Sequence, residues 1–138
     1  MQPTLPYTGG CLCGAVRYEC HAPPKSAFIC HCNDCKKYTG APFSAFIILA
    51  AEDVRLLSGT PRRYEREAAS GNSTSREFCP ECGGSLFGRI SPYPNILTVD
   101  IGSLDDASWV RPKGHLWTKR ELDWAHIEDG LERHEENA

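Results

Sequence analysis

The sequence has no long apolar run. Its longest, Ala41 to Ala51, is broken by Ser44 and is too short to cross a bilayer. It also has no visible export leader, because MQPTLPYTGG carries no basic region followed by an apolar stretch, so a cytoplasmic location is expected. Positive charge is not in excess. A net charge of -3 and a pI near 5.9 give neither nucleic acid nor an anionic membrane an electrostatic reason to bind. There is no long helical period, no low-complexity linker and no obvious repeat. With 138 residues, 41% of them hydrophobic and 24% charged, the chain reads as one globular domain over 1–138. Its core is expected at about 7–131, and the acidic, thinly apolar stretch 132–138 is expected to fray.

Short β-prone runs separated by turn residues make up most of the chain. The expected strands are Ala15 to Cys20, Ala27 to Cys32, Phe43 to Leu49, Val54 to Leu57, Arg62 to Glu67, Ser75 to Phe78, Ser85 to Ile90 and Ile96 to Ile101. Between them stand turn formers such as Gly9-Gly10, Pro23-Pro24, Ser58-Gly59-Thr60-Pro61, Ser70-Gly71-Asn72 and Ser91-Pro92. Helical turns are expected at Asn33 to Tyr38 and at Asp105 to Ser108, while Glu121 to Ile127 reads either way. The fold class is all-β with short helical turns.

Cysteine is the abundant chemistry, with eight in the chain. Four disulfides would suit an exported protein, but the spacing argues for metal. Cys11 and Cys13 form C-x-C, Cys30, Cys32 and Cys35 form C-x-C-x-x-C, and Cys79 and Cys82 form C-x-x-C. Zinc needs thiolates converging at about 2.3 Å from one point, and crowded cysteines supply them. Side chains two apart on a strand share a face, so Cys11 and Cys13 can approach one ion together. Cys79-Pro80-Glu81-Cys82-Gly83-Gly84 has the form of a zinc knuckle, its glycines allowing a tight turn with N–H groups facing sulfur. The two pairs together give a closed Cys₄ structural site joining distant parts of the chain. Cys30, Cys32 and Cys35 supply three local thiolates, the pattern of a zinc with one exchangeable position. A closed site is equally open at this point, with Cys20, His21 or His31 as the fourth ligand. His31 points away from the face shared by Cys30 and Cys32, and Cys20 could also be a small buried hydrophobe.

The segments G-G-C-L-C-G-A-V-R-Y (Gly9 to Tyr18), C-H-C-N-D-C-K-K-Y-T-G-A-P-F (Cys30 to Phe43), R-E-F-C-P-E-C-G-G-S-L (Arg76 to Leu86) and G-S-L-D-D (Gly102 to Asp106) resemble the glutathione-dependent formaldehyde-activating enzyme family, which includes centromere-protein-V-type domains. The likeness continues through Pro112, His115, Trp124 and Ile127 to Leu131, so it spans about residues 7 to 131. It implies an Mss4-like fold of antiparallel sheets organised around zinc. It also implies a division of ligands: Cys11, Cys13, Cys79 and Cys82 hold a structural zinc, while Cys30, Cys32 and Cys35 hold a second, catalytic one. Cys20 falls outside the family's metal motifs. The implied activity is a carbon–sulfur lyase joining glutathione and formaldehyde as S-hydroxymethylglutathione. Arg62 to Thr74 departs most from the pattern, and Leu122-Asp123 replaces a proline often found before Trp124.

Glutathione carries two carboxylates, so cations are expected around it; Lys36, Lys37, Arg62, Arg63, Arg76 and Arg89 are candidates, each also readable as a solvated charge. Asp34 could relay a proton or cap the following turn. Trp109, Trp117 and Trp124 are expected in the core or at its rim, and Asp105-Asp106 in a turn. Tyr18 and Tyr38 are candidates for the metal's surroundings. His115 and His126 are single histidines with no partner at ligand spacing. A nucleic-acid zinc ribbon would need two C-x-x-C pairs and a basic face, which the chain lacks. The alternative to an enzyme is a zinc module that holds a thiol or a protein partner.

Overall fold

Alternating inward apolar and outward polar side chains are what a half-buried strand requires. The computed structural model describes residues 2–68, 70–91 and 93–138; Pro92, in one expected turn, lies outside them. The elements in order are β1 (Tyr7–Gly10), β2 (Arg17–Cys20), β3 (Ser26–Cys30), α1 (Asn33–Thr39), β4 (Ser44–Ala50), β5 (Val54–Ser58), β6 (Arg62–Glu67), β7 (Ser73–Phe78), β8 (Ser85–Ile90), β9 (Ile96–Asp100), β10 (Gly114–Leu116) and β11 (Glu132–Arg133). All eight expected strands are present, within a few residues of their expected ends. The fold is mainly β.

A small antiparallel sheet runs β1-β2-β5, and a larger one runs β11-β10-β3-β4-β9-β8-β7-β6. The larger sheet is antiparallel except where β10 lies parallel to both β3 and β11. One face of its central strands packs against the small sheet. Ile47 and Leu49 from β4, Leu97 and Val99 from β9 and Leu86 from β8 meet Val16, Tyr18 and Cys20 there, all essentially without solvent contact. Burying each Leu or Ile stabilises by about 1.5–3 kcal/mol, so this interface is where the two sheets are held together. On the opposite face of the same strands stand Ser44, Phe46, Thr98 and Asp100. A central sheet face with polar groups is unusual for a core, and it becomes the floor of the cleft described below.

Three expectations about local structure are corrected, and one stretch that read either way is resolved. The acidic tail, expected to fray, has partners: β11 pairs with β10, His134 N–H donates to His115 O at 2.9 Å, and Trp117 N–H donates to Glu136 O at 3.0 Å. Composition gave no sign of this because the edge of β10, not the tail's own apolar content, supplies the partners. Asp105 to Ser108 is not helical; the 3₁₀ turn falls earlier, at Ile101–Ser103, and the Arg17 guanidinium holds Asp105 by two hydrogen bonds. Glu121 to Ile127 contains only a 3₁₀ turn, Asp123–Ala125. Trp124, expected in the core or at its rim, is 78% exposed, whereas Trp109 packs edge-on against Tyr7 with ring centroids 5.0 Å apart.

Candidate metal centre

Cys11 and Cys13 follow β1, and Cys79 and Cys82 lie in the turn between β7 and β8. The four sulfurs lie within 4.8 Å of one another. Cys13 Sγ is 3.7 Å from Cys11 Sγ and 3.8 Å from Cys79 Sγ. A tetrahedron with metal–sulfur bonds of about 2.3 Å has edges of about 3.8 Å, so the spacing fits a single ion such as zinc. The backbone contributes too. Val16 N–H donates to Cys11 Sγ at 3.2 Å and Glu81 N–H to Cys79 Sγ at 3.4 Å. The bond from Val16 draws the Cys11 thiol down to about 6. Gly83 closes the knuckle with a left-handed φ of 76°, at which a side chain would be strained.

Cys30 ends β3, Cys32 caps α1, and Cys35 lies in its first turn; their sulfurs also lie within 4.8 Å of one another. Cys35 N–H donates to Cys32 Sγ at 3.2 Å, so the sulfur itself serves as the helix N-cap. Of the three thiols, Cys35 is held down and Cys30 and Cys32 are pushed up. The neighbouring Cys30 and Cys32 thiols pull Cys35 far down, while Cys32 and then Cys35 push Cys30 up. The donor set suits a soft dication, which would displace the remaining protons.

None of the candidates for a fourth ligand lies with the three sulfurs. Cys20 is fully buried between the sheets, its thiol pushed up to about 12 by that burial. His21 faces Glu19 at 2.9 Å. His31 Nε2 lies 2.8 Å from His115 Nδ1. The side of the cluster left to solvent opens into a cleft of about 210 Å³.

Of the cations nominated from sequence, Arg76 and Arg89 line this cleft, and Lys36, Lys37, Arg62 and Arg63 do not. Lys36 Nζ donates instead to Arg120 O at 2.6 Å. Arg76 Nη2 lies 3.7 Å from Cys35 Sγ, and its guanidinium sits 5.1 Å from the centre of the Tyr38 ring. Asp34 lines the cleft and faces Arg66 at 3.7 Å; Cys32, not Asp34, caps the helix. Tyr38 is at the cleft, whereas Tyr18 is buried in the core with its hydroxyl 2.6 Å from Ser103 Oγ.

Sequence reasoning missed Arg120, Ser44 and Asp100 in the cleft, and it missed a buried histidine pair. Far from lacking a partner, His115 links Asp129 Oδ2, 2.8 Å from its Nε2, to His31. A carboxylate accepts only, so in the neutral rings His115 Nε2 donates to Asp129 and His31 Nε2 donates to His115. His31 and His115 are both completely buried and 84 residues apart, and no local spacing could have announced them.

A small mainly β chain with one four-cysteine cluster between segments and one three-cysteine cluster beside a cleft is a protein built around two potential metal sites. The family described as glutathione-dependent formaldehyde-activating enzyme matches residues 6–120, and the chain belongs to it. A Halomonas elongata protein named for the same activity is 29% identical over 87% of this chain and 80% of its own length. A Schizosaccharomyces pombe protein described as an uncharacterised lyase is 28% identical over 59% of this chain and 56% of its own. A crystal structure of a Rhodobacter sphaeroides protein shares the fold, with a TM-score of 0.60, 20% identity and coverage of 78% of this chain and 98% of that one.

Proposed function

We propose that this protein is a zinc-dependent carbon–sulfur lyase that interconverts a small thiol and formaldehyde with their S-hydroxymethyl adduct, with glutathione as the first candidate thiol and the cytoplasm as its location. The observation that carries the reading is the cluster of Cys30, Cys32 and Cys35, whose open side faces a cleft containing Arg76. Cys11, Cys13, Cys79 and Cys82 are the structural zinc ligands, and the three cleft cysteines are the ligands of the catalytic zinc. Zinc at the second cluster would supply a Lewis acid with one exchangeable position, which favours the thiolate form of a bound thiol at neutral pH.

The chain's own residues account for the rest. Arg76, placed against Cys35, offsets the negative charge that gathers when thiolates crowd together. It also offers a planar fork to a carboxylate of the entering thiol, and Arg120 lines the same cleft. In the forward direction the sulfur lone pair forms the C–S bond while the carbonyl π pair moves to oxygen, which takes a proton. The reverse direction breaks the same bond and returns the proton.

The test is the rate at which glutathione and formaldehyde reach equilibrium with their adduct, followed by NMR exchange with and without the protein. Acceleration that disappears with a strong chelator is the expected result. A second measurement follows the charge-transfer absorption of cobalt-substituted protein. If glutathione shifts that band, a thiol-free analogue does not, and the equilibration is no faster, the protein holds a thiol without catalysis and the alternative reading replaces this one.

A further inference from the structure

The cleft floor carries polar groups that metal ligation does not use. Ser44 stands directly across from Cys30 in the β3–β4 register, and Asp100 stands across from Phe46 in the β4–β9 register. Asp100 is therefore the diagonal neighbour of Ser44, about 7–8 Å away at the backbone and closer at the side chains. The hydroxyls of Ser44 and Tyr38 are both buried, Ser44 near the Cys35 sulfur and Tyr38 near the Ser85 hydroxyl, yet neither makes a hydrogen bond of good geometry among the described residues. Buried hydroxyls are normally paired, and because both residues line the cleft, a ligand oxygen bound there could supply the missing partner. Asp100 completes the group. Its carboxylate accepts from Ser85 Oγ, and Arg76 is the nearest positive charge acting on it, although the two form no ion pair among the described residues. Gly88 makes room for the floor, since a β-carbon there would lie 2.6 Å from Thr98 Oγ1.

We propose that Asp100 is the catalytic acid and base for the carbonyl-derived oxygen of the adduct, with the Tyr38 and Ser44 hydroxyls donating to that oxygen as its charge develops. The inference rests on the lyase reading and adds the residues that handle oxygen where that reading treats only sulfur. When the adduct breaks down, the Asp100 carboxylate takes the hydroxyl proton, the O–H pair becomes the C=O π bond, and the C–S pair leaves on sulfur. In the synthetic direction the sulfur pair attacks carbon and the carboxylic acid returns its proton to oxygen. No oxidant or further reactant is required. Burial raises the Asp100 carboxyl to about 6, so both protonation states are accessible near neutrality. The charged and titratable groups around it are Cys35 and Tyr38 from α1 and Arg76 from β7, with Arg89 on β8 at the same cleft.

Asp100→Asn tests the assignment, since the amide still accepts from Ser85 but cannot exchange the proton. General acid–base groups contribute about 10²–10⁴-fold, and the ease of the uncatalysed addition places this case at about 100-fold. The expected result is a fall of about 100-fold in the protein-catalysed rate, with glutathione affinity within twofold of the parent and an unchanged melting temperature. Tyr38→Phe, which keeps the ring beneath Arg76, is expected to lose about tenfold in rate, again without loss of thiol affinity. An active parent with an equally active Asp100→Asn variant overturns the role of Asp100 and leaves the lyase reading standing. A parent that accelerates nothing overturns both. Loss of thiol affinity in parallel with rate would make Asp100 a binding or structural group and also overturns the assignment.

Discussion

The two cysteine clusters draw on the same side chain and differ in what the chain does around them. Cys11 and Cys13 come from one end of the sequence and Cys79 and Cys82 from its middle, so whatever joins their sulfurs also joins the small sheet to the β7–β8 hairpin. Cys30, Cys32 and Cys35 lie within six residues, and their convergence asks almost nothing of the rest of the fold. The first cluster has four donors; the second has three, with a cleft where a fourth would be. Long-range ligands make a metal part of the folding free energy, whereas local ligands with an open side leave it free to exchange and to meet a substrate.

The sharpest way to break that comparison is to remove one sulfur from each cluster. Cys79→Ser is expected to abolish the folded state. Structural zinc in small peptides contributes on the order of 10 kcal/mol, which is comparable to the whole stability of a domain. Cys32→Ser is expected to lower the melting temperature by only a few degrees, because serine is itself a good N-cap for α1, while thiol binding is lost. Circular dichroism melts of both variants check this, and equal destabilisation would erase the distinction.

A smaller effect sharpens the cleft side of the comparison. Arg76→Gln removes the cation 3.7 Å from Cys35 Sγ and is expected to weaken glutathione binding about tenfold by calorimetry, about 1.4 kcal/mol, with unchanged metal content at Cys11, Cys13, Cys79 and Cys82. Gly88→Ala is expected to cost about 1–2 kcal/mol in denaturant titration, because its new methyl meets Thr98 Oγ1 at 2.6 Å, and to narrow the cleft floor. A Gly88→Ala variant as stable as the parent would show that the floor gives way easily.

The smallest effect lies beside the four-cysteine cluster. Hydrogen bonds from Arg17 and then Thr8 hold the Asp105 carboxyl below its ordinary range. A lowered value in the folded state means that the stabilisation is complete above the ordinary carboxylate range and fades as pH falls through the lowered value. The pair is 36% and 46% exposed, so solvent screening leaves about 0.5 kcal/mol. Asp105→Asn is expected to melt slightly lower than the parent at pH 7, with the gap closing below about pH 4. A gap that persists undiminished at pH 3 would show that packing, not charge, is responsible.

What was legible in the sequence follows the same division between local and distant. The eight central strands announce themselves through β-branched and alternating residues. β1 does not, because half of it is Gly9-Gly10; β10 is only Gly114–Leu116; and β11 is two charged residues whose pairing comes from the edge of β10. Cysteine spacing divided the sulfurs into the groups the structure brings together, because C-x-C and C-x-x-C are local signals. It left open whether a fourth ligand closes the second group; the structure places Cys20 between the two sheets and His31 against His115, placements no local spacing announces. Lys36 and Lys37 follow the cluster in sequence, yet the helix carries them off the cleft, while Arg76, Arg89 and Arg120 arrive there from other elements. Asp100 was invisible because a single acidic residue at a strand end carries no pattern. Only the sheet register reveals that it shares a face with Ser44.

The difference between the clusters is tested most directly by time-resolved release of zinc from the fully loaded protein to a mild chelator. Two phases of one zinc each are expected. The fast phase should belong to Cys30, Cys32 and Cys35 and disappear in Cys32→Ser, and the slow phase should remain until the protein unfolds. A single slow phase carrying both zincs would contradict the account, because it would mean that the second cluster is closed and that the cleft holds no exchangeable position.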